Sequence, residues 1–452
     1  MNTICAISTP AAAAGAISLI RMSGEDAVSI ADGVFSAFSA KRVSDMKGHT
    51  CAYGRIIDEG KTVDDVLLTV FRAPKSYTGE DTVEISCHGG SYVTRRILGL
   101  LVKNGAVPAA PGEFTKRAVL NGKLTLTQAE AVMDIISSEG ERALISANNM
   151  REGAVFKRIT EVREKLVAML GSLAAWVDYP DDDIPSVDEQ SIRLTLCDCI
   201  DRLSALIKSF DDGIVFREGV LTAIVGLPNV GKSSVMNMLL GFDRSIVTDI
   251  EGTTRDVVEE SARLGDIVLR LCDTAGLRET NDAVESIGVS LSKKTLSSAR
   301  LVLAVFDISR ELSDSDKVLL SSLSPKNTVI ILNKSDLGQK LDTESFTGFL
   351  TVVCSAKERT GTDELKSAVE KLLCTDGFSS QETVFASERQ KSCASRACVS
   401  LKAALDALNN GETLDAVTAA ADGALSPLLE LTGEKASETV LNEVFSRFCV
   451  GK

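Results

Sequence analysis

The stretch that decides the fold is Gly226-Leu227-Pro228-Asn229-Val230-Gly231-Lys232-Ser233. It follows the apolar run Val220–Val225 and precedes a segment with helical spacing, which is the context that the pattern GxxxxGKS requires. Glycines at these positions let the backbone curl so that its amide hydrogens point at phosphate oxygens, and the helix N-terminus adds a favourable dipole. We expect Lys232 to neutralise the β and γ phosphates, Ser233 to ligate magnesium, and Ser234 to extend the site.

Outward from this loop, apolar strands alternate with helical stretches. The strand candidates within residues 217–377 are Val220–Val225, Ile267–Cys272, Leu301–Phe306, Thr328–Leu332 and Thr351–Cys354. This alternation predicts an α/β domain with a parallel sheet covered by helices on both faces.

Two further strings indicate which base is bound. Asn333-Lys334-Ser335-Asp336 follows one predicted strand, and Ser355-Ala356-Lys357 follows the next. A carboxylate at Asp336 can accept hydrogen bonds from the guanine amino and imino groups, whereas adenine would leave it unpaired. A backbone amide of the second string would meet the guanine oxygen. The order of these strings favours GTP over ATP.

Two segments between the strands have the character of nucleotide-sensing switches. Asp273-Thr274-Ala275-Gly276 would hold magnesium through water and sense the γ phosphate, and Glu251-Gly252-Thr253-Thr254 supplies Thr254 as a magnesium ligand. Many small GTPases place a water-orienting Gln just after the DxxG glycine, but Leu277 stands there. Arg278, Glu279 and Glu285 are the polar alternatives, and solvated charges of a loop explain them equally well.

Composition limits the other functions. The 452 residues include 44% hydrophobic and 25% charged residues, which is typical of a globular protein of about three domains. A net charge of −14 argues against a broad basic surface for nucleic acid. The two histidines exclude most His-based catalysis, and the 11 scattered cysteines predict reduced thiols in a cytoplasmic protein. The sequence predicts no membrane span.

The pattern divides the chain into four parts. Residues 1–118 are expected to be α+β and residues 217–377 form the nucleotide-binding domain, while residues 119–216 and 378–452 are expected to be helical. The elements predicted outside the nucleotide-binding part are a strand, turn and strand over Ile4–Ile20, strands at Val66–Phe71 and Thr82–Ser86, and helices at Tyr92–Asn104, Leu126–Met150, Arg151–Val177, Ser191–Asp211, Arg389–Leu408 and Gly423–Phe448.

Over its full length the chain resembles the MnmE (TrmE) family of tRNA-modification GTPases. The strings that carry the resemblance are GLPNVGKSS (226–234), TDIEGTTRD (248–256), DTAGLRE (273–279), SYTGED (76–81), CHGG (87–90), PGEFTKRA (111–118) and, most specific, FCVGK (448–452). The resemblance implies a nucleotide-binding domain of the Ras-like P-loop type. It would be inserted into a discontinuous helical domain that follows an N-terminal folate-binding-like domain.

The resemblance also implies cofactors and partners. The N-terminal domain would form a homodimer and bind 5-formyltetrahydrofolate or a related tetrahydrofolate as a one-carbon donor, through Arg21, Glu84, Lys123 and the terminal Lys452. An FAD-dependent protein of the MnmG (GidA) type would be the partner, in a heterotetramer that modifies carbon 5 of the wobble uridine of certain tRNAs. We expect tRNA to be bound mainly by the partner.

For the nucleotide site, the resemblance implies potassium activation in place of an arginine finger. Asn229 matches the family's potassium ligand in the phosphate loop, and Thr248, Ile250 and Thr253 match the loop that completes the potassium site; Asp249, between two of these residues, belongs to the same nucleotide-contacting string. Glu285 matches the family's water-orienting glutamate. GTP hydrolysis would drive dimerisation of the nucleotide-binding domains and a conformational change.

Alternatives remain at two positions and for the whole protein. Cys449 is either a thiol close to the uridine chemistry or a small residue that anchors the C-terminus, and His88 is either a general base or, as we prefer, a structural turn residue. A regulatory GTPase of ribosome assembly without nucleoside chemistry is the alternative function. A folate sensor without one-carbon transfer is a third.

Overall fold

A computed structural model describes residues 1–9, 15–138, 140–178, 188–217, 219–241, 260–271, 299–373, 387–446 and 448–451. The described chain forms two compact units. The first unit contains residues 1–133, 151–203 and 387–452, and the second contains residues 134–150 and 204–386. Among the described residues, no helix has both the length and the apolar character that crossing a membrane demands.

The first unit begins with a mixed sheet of seven strands. Its strands are β1 Ile4–Ile7, β2 Ile17–Ser23, β3 Phe35–Ala37, β4 Thr50–Asp58, β5 Lys61–Phe71, β6 Thr82–His88 and β7 Val107–Pro108, in the spatial order β3-β4-β5-β6-β2-β1-β7. Three helices accompany the sheet: α1 Ala27–Val34, α2 Ser91–Lys103 and α3 Glu113–Leu120. The predicted α+β class is confirmed, and β5 and β6 extend beyond the predicted strands.

One face of this sheet carries the main core, while Ile4 and Ala6 on the other face pack with Phe114 of α3. Residues such as Ile20, Leu68 and Ile85 alternate along their strands and pack against Ile30 of α1 and Ile97 of α2. The pleat of a strand sends the intervening residues to the opposite face. That opposite face is important for the site described below.

Four helices follow: α4 Leu126–Ser137, α5 Glu141–Arg151, α6 Ala154–Asp178 and α7 Glu189–Arg217. The helix predicted over Leu126–Met150 is therefore two helices, with Gly140 in the interruption. A Cβ on Gly140 would lie 2.9 Å from the carbonyl oxygen of Asp266. This close approach to Asp266, which is distant in the sequence, is a reason for the helix to break at Gly140. The periodicity of apolar residues does not reveal such an approach.

The second unit is built on a six-stranded sheet. Its strands are β8 Val220–Val225, β9 Glu260–Leu264, β10 Ile267–Leu271, β11 Leu301–Asp307, β12 Thr328–Asn333 and β13 Leu350–Val353, in the order β13-β12-β11-β8-β10-β9. Its helices include α8 Lys232–Leu240, α9 Asp314–Ser321 and α10 Thr362–Leu373.

The burial of strand β11 explains why the strands of this sheet are continuous apolar runs in the sequence. All seven of its residues are buried. Leu303 and Val305 belong to the core that also contains Val235 of α8, and Ala304 and Phe306 belong to the core on the other face. The sheet is therefore covered on both faces, as predicted. The prediction of a purely parallel sheet is wrong at one edge, because β9 pairs antiparallel with β10.

The C-terminal part returns to helices: α11 Glu388–Asn409, α12 Leu414–Asp422, α13 Leu425–Thr432 and α14 Glu438–Ser446. The single helix predicted over Gly423–Phe448 is wrong, since α13 ends at Gly433 in the left-handed conformation. A Cβ on Gly433 would lie 2.6 Å from Cβ of Leu126, so only glycine fits against α4. The partner residue lies in a distant part of the sequence.

Candidate functional site

The phosphate-binding pattern occupies the loop between β8 and α8. Gly231 precedes α8 with φ of +97°, and a Cβ there would lie 2.2 Å from Nδ2 of Asn333. Asn229 also has a positive φ, of 63°. The loop therefore takes a left-handed course at two positions before the helix, as in turns that direct amide groups at an anion.

Lys232 lies across this loop. Its Nζ donates to the carbonyl oxygens of Gly226 and Leu227, each at 2.9 Å. Burial of the ammonium group lowers the pKa of Lys232. The charge is thus held beside the first turn of α8, where the exposed Ser233 and Ser234 also lie.

Asn333 joins the phosphate loop to the rest of the site. Its Nδ2 donates to the carbonyl oxygen of Val230 at 2.9 Å, and its Oδ1 accepts from the amide of Ala356 at 3.0 Å. The side chain is buried, with 2% exposure. Asn333 was predicted to bind nucleotide, and its observed contacts hold two loops in fixed positions around the end of β12.

Lys334 and Asp336 complete the group of side chains around the end of β12. Lys334 has φ of +68°, and its Nζ lies 2.6 Å from Oδ2 of Asp307 at the end of β11. Ser335 follows, and Oδ1 of Asp336 accepts from the Ser355 hydroxyl at 2.7 Å. The structure thus brings together the phosphate loop and the segments at 333–336 and 355–357. In the last of these segments, Lys357 is exposed.

Asp307 is a residue that sequence reasoning missed. Its carboxylate also accepts from the backbone N and Oγ of Ser309, at 3.0 and 2.6 Å. Burial acts to raise the pKa of Asp307, but the bonds from Lys334 and Ser309 hold that pKa below its ordinary value. The available signal was its place at the end of a buried strand beside β12.

Several predicted residues lie outside the described part of the chain. They are Thr248, Asp249, Ile250, Glu251, Gly252, Thr253, Thr254, Asp273, Thr274, Ala275, Gly276, Glu285 and Lys452. Their predicted roles stay predictions.

A second cluster of predicted residues lies on the first unit. Arg21 of β2 and Glu84 of β6 are directly opposite in the antiparallel register, and Nε of Arg21 donates to Oε1 of Glu84 at 2.8 Å. The Arg21 guanidinium also lies 5.6 Å from the ring centre of Tyr77 and 5.8 Å from that of Phe114. These two aromatic residues were missed as site residues, although they lie within the motifs at 76–81 and 111–118.

Tyr77 is itself fixed by a hydrogen bond. Its hydroxyl lies 2.9 Å from the Thr115 hydroxyl on α3, and burial raises the pKa of Tyr77. Lys123 lies in the turn that follows α3, and its Nζ donates to the carbonyl oxygen of Pro74 at 3.0 Å. The loop that contains Tyr77 is therefore bordered by α3 and by Lys123.

The C-terminal tail reaches the same sheet. Phe448 is buried against Phe445, the amide of Gly112 donates to the Cys449 carbonyl at 3.4 Å, and the Ser8 hydroxyl donates to the Gly451 carbonyl at 3.1 Å. Ser8 follows β1, in which Ala6 pairs with Arg21. The tail thus ends near the Arg21 strand pair, and the backbone of Cys449 serves as an anchor.

His88 is exposed at the end of β6. Its Nδ1 lies 2.6 Å from Oδ1 of Asp64, and its backbone amide donates to the same carboxylate at 2.8 Å. The hydrogen bond with Asp64 raises the pKa of His88. These contacts support the structural role that we preferred.

Known protein families match residues in both units of the chain. The family model of the GTP-binding protein TrmE N-terminus matches residues 3–123, and the model of the MnmE helical domain matches residues 126–449. The tRNA modification GTPase MnmE of Lactobacillus acidophilus is 43% identical, with coverage of 100% of this chain and 98% of the relative. The protein of that name from Thermoanaerobacter pseudethanolicus is 40% identical, with 100% and 99% coverage.

Among solved structures, the G domain of the T. maritima FeoB iron transporter is 25% identical over 34% of this chain and 98% of that chain, with a TM-score of 0.27. The full-length relatives and the family models decide the assignment. They favour tRNA modification over the ribosome-assembly alternative. The chain belongs to the MnmE family of tRNA modification GTPases.

Proposed function

We propose that the loop from Gly226 to Ser234 binds the phosphates of GTP and that Asp336 binds its guanine base. The observation that carries this proposal is the hydrogen-bonded bridge through Asn333, which joins the phosphate loop to the strand end beside Asp336. In this proposal Lys232 exchanges its two carbonyl contacts for phosphate oxygens. Asp336 turns from the Ser355 hydroxyl to the amino and imino groups of guanine.

Magnesium and potassium fit the described side of this site. Ser233 presents a hydroxyl on the exposed first turn of α8, and Asn229 presents an exposed amide oxygen beside the phosphates. Both ions prefer such oxygen ligands, and they would supply positive charge where negative charge develops between the β and γ phosphates. Thr254 for magnesium, and Thr248, Ile250 and Thr253 for potassium, complete the proposed ligand sets. Glu285 is the proposed residue that orients the attacking water.

The first unit supports a folate site and a homodimer. Arg21 and Glu84 lie on the sheet face opposite the main core, where the rings of Tyr77 and Phe114 lie beside the Arg21 guanidinium. A tetrahydrofolate offers a pterin, whose N–H groups suit Glu84 and whose carbonyl oxygen suits Arg21 beside it, and carboxylates at the far end of the molecule, which suit Lys123 and Lys452. The aromatic rings of Tyr77 and Phe114 would flank it.

The same sheet face carries exposed apolar residues. Ile17, Tyr53 and Leu67 are 68%, 54% and 49% exposed, and the register pairs Tyr53 with Leu67. An exposed apolar sheet face of this kind suits association with a second copy. We propose that the homodimer forms here, beside the folate residues.

The complete activity would need a partner. GTP hydrolysis and folate binding supply no redox chemistry, so an FAD-dependent protein of the MnmG type would carry it during modification of the wobble uridine. With a net charge of −14, this chain leaves most tRNA contacts to that partner. GTP hydrolysis would drive dimerisation of the G domains and a change of conformation. We place this complex in the cytoplasm, and we treat Cys449 as an anchor whose thiol chemistry is to be tested.

The test is mass spectrometry of wobble-uridine nucleosides in tRNA from cells that lack this chain, with variants added back. Wild type should restore the 5-substituted uridine, whereas Asp336→Asn, Arg21→Ala and Glu285→Ala should not. Lys317→Ala, an exposed lysine of α9, is the matched control that should restore it. Full rescue by Cys449→Ser would leave the thiol without a chemical role.

A separate outcome addresses the folate. If Arg21→Ala abolishes folate binding but still restores the nucleoside fully, the one-carbon role is wrong and the folate-sensor alternative is favoured. An unchanged nucleoside profile in cells without the chain would overturn the proposed modification.

A further inference from the structure

Lys334 has a backbone conformation that needs support. A non-glycine residue with φ of +68° and ψ of 38° lies in the left-handed region, which is unfavourable for an L-residue with a long side chain. This turn separates β12 from the short 3-10 turn Ser335–Leu337, which carries Asp336. The conformation of Lys334 therefore decides the direction in which Asp336 leaves the sheet.

Asp307 supplies that support. In the parallel register it pairs with Asn333, the residue before Lys334, so its carboxylate lies beside the turn. Oδ2 binds the ammonium group of Lys334 at 2.6 Å, while Oδ1 accepts from the backbone and hydroxyl of Ser309. The Asp307 side chain is 9% exposed and that of Lys334 30% exposed, so water competes weakly for the pair.

We propose that Asp307 is a positioning residue for guanine selectivity, which acts through Lys334 to hold the turn that presents Asp336 to the base. This inference rests on the guanine site proposed above. Loss of Asp307 should release the Lys334 side chain, relax the turn and weaken the two hydrogen bonds that Asp336 makes to guanine. Contacts to the phosphates should change less.

The ratio of the Kd values for inosine and guanine nucleotides provides a readout that a change in stability alone would not alter. Inosine lacks the 2-amino group of guanine, so Asp336 can bind only its imino group. In the full-length protein we would measure Kd for GDP and IDP by displacement of a fluorescent guanine nucleotide. Asp307→Ala should raise the Kd for GDP about tenfold and that for IDP less, so that the preference for GDP falls. KM for GTP should rise by more than kcat falls.

Two variants connect the effect to Lys334. Lys334→Ala should lower the GDP preference as Asp307→Ala does, and the double variant should lower it no further. Asp307→Asn, which keeps the shape and can still accept from Ser309, serves if Asp307→Ala does not fold. The matched control is Asp316→Asn, because the buried Asp316 forms an ion pair with Arg310 in the same unit and its recorded contacts are with Arg310 and Ser313. It should lower Tm without a change in GDP preference.

The outcomes separate this inference from the guanine site itself. If Asp336→Asn does not shift preference from guanine to xanthine nucleotides, the guanine site is wrong. If that shift occurs but Asp307 variants lower Tm with an unchanged GDP preference, only the inference about Asp307 is overturned. Effects of Asp307→Ala and Lys334→Ala that multiply in the double variant would also overturn it.

Discussion

The nucleotide site of the second unit and the Arg21 site of the first unit are held in different ways. In the nucleotide site, buried side chains bind backbone groups of neighbouring loops, as Asn333 does with Val230 and Ala356. In the Arg21 site, an ion pair between two strands lies beside the rings of Tyr77 and Phe114, with side chains 15% and 21% exposed.

This difference teaches how each site meets its ligand. The nucleotide loops are fixed by the chain itself, so that binding requires exchange of a few contacts of Lys232 and Asp336. The Arg21 site is formed by the side chains of two strands and by the rings of Tyr77 and Phe114, and the exposed Ile17, Tyr53 and Leu67 on the same sheet face leave room for a ligand or a second copy. We therefore expect substitutions in the nucleotide site to change rates and stability together. Arg21→Ala should weaken ligand binding and also lower stability, because Glu84 loses its partner.

The largest effect should follow Lys232→Ala. Removal of the ammonium charge that lies across the phosphate loop should lower the rate of GTP hydrolysis about 10²- to 10³-fold. A phosphate-release assay measures it, with Lys317→Ala as the control for loss of a lysine on the same unit. A loss of less than about tenfold would show that other groups neutralise the phosphates.

Arg21→Ala should come next. Truncation removes the partner of Glu84 and the guanidinium that would donate to the pterin, and binding of 5-formyltetrahydrofolate should weaken about 100-fold. Isothermal calorimetry measures the Kd, and Arg96→Ala, which breaks the exposed pair with Asp58 on the same unit, is the control. Unchanged folate affinity would remove Arg21 from the site and the contrast between the two regions with it.

Asn333→Ala tests whether the loops of the nucleotide site are held as the structure indicates. The change leaves the Val230 carbonyl and the Ala356 amide without their side-chain partner in a buried setting, and it should cost about 2 kcal/mol of unfolding free energy. GTP affinity should fall about tenfold at the same time, since the loops lose their mutual position. Denaturant unfolding and nucleotide titration measure the two. A loss of stability with unchanged affinity would contradict the fixed-loop interpretation.

The smallest effect should come from His88→Gln, at the exposed end of β6. The folded-state pKa of His88 is raised by Asp64, so its stabilising contribution is fully present below the unfolded pKa and is lost as pH rises through the folded pKa. The variant should lower Tm slightly at about pH 5.5 and leave it unchanged at about pH 8.5. Thermal shift measurements at both pH values, with Arg95→Gln as the exposed control, decide this. An equal loss of Tm at both values would exclude the imidazolium as its cause.

Most of the fold could be predicted from local patterns. The strand at Val220–Val225 matches the prediction at both ends, and β10 begins at the predicted residue. β11 and β12 are one residue longer at the C-terminal end, and β13 is shifted by one residue toward the N-terminus. The helices with Gly140 or Gly433 in their midst were not foreseen as broken, because periodicity records which residues are apolar and not which distant atoms approach a glycine. The strand β9 was missed because its pairing with β10 depends on a hairpin at the sheet edge.

The residues of the candidate sites also divide into those that the sequence indicated and those that only the structure revealed. The sequence by itself predicted the phosphate loop and the guanine motif from residue types at fixed spacing, and it indicated Arg21 and Glu84 through the family resemblance. Only the tertiary structure decided that Asp307 binds Lys334, that Tyr77 and Phe114 flank Arg21, and that the tail after Phe448 ends beside the strand pair of Arg21. These contacts join residues far apart in the sequence, and parallel strand register and packing, which no local pattern encodes, bring them together.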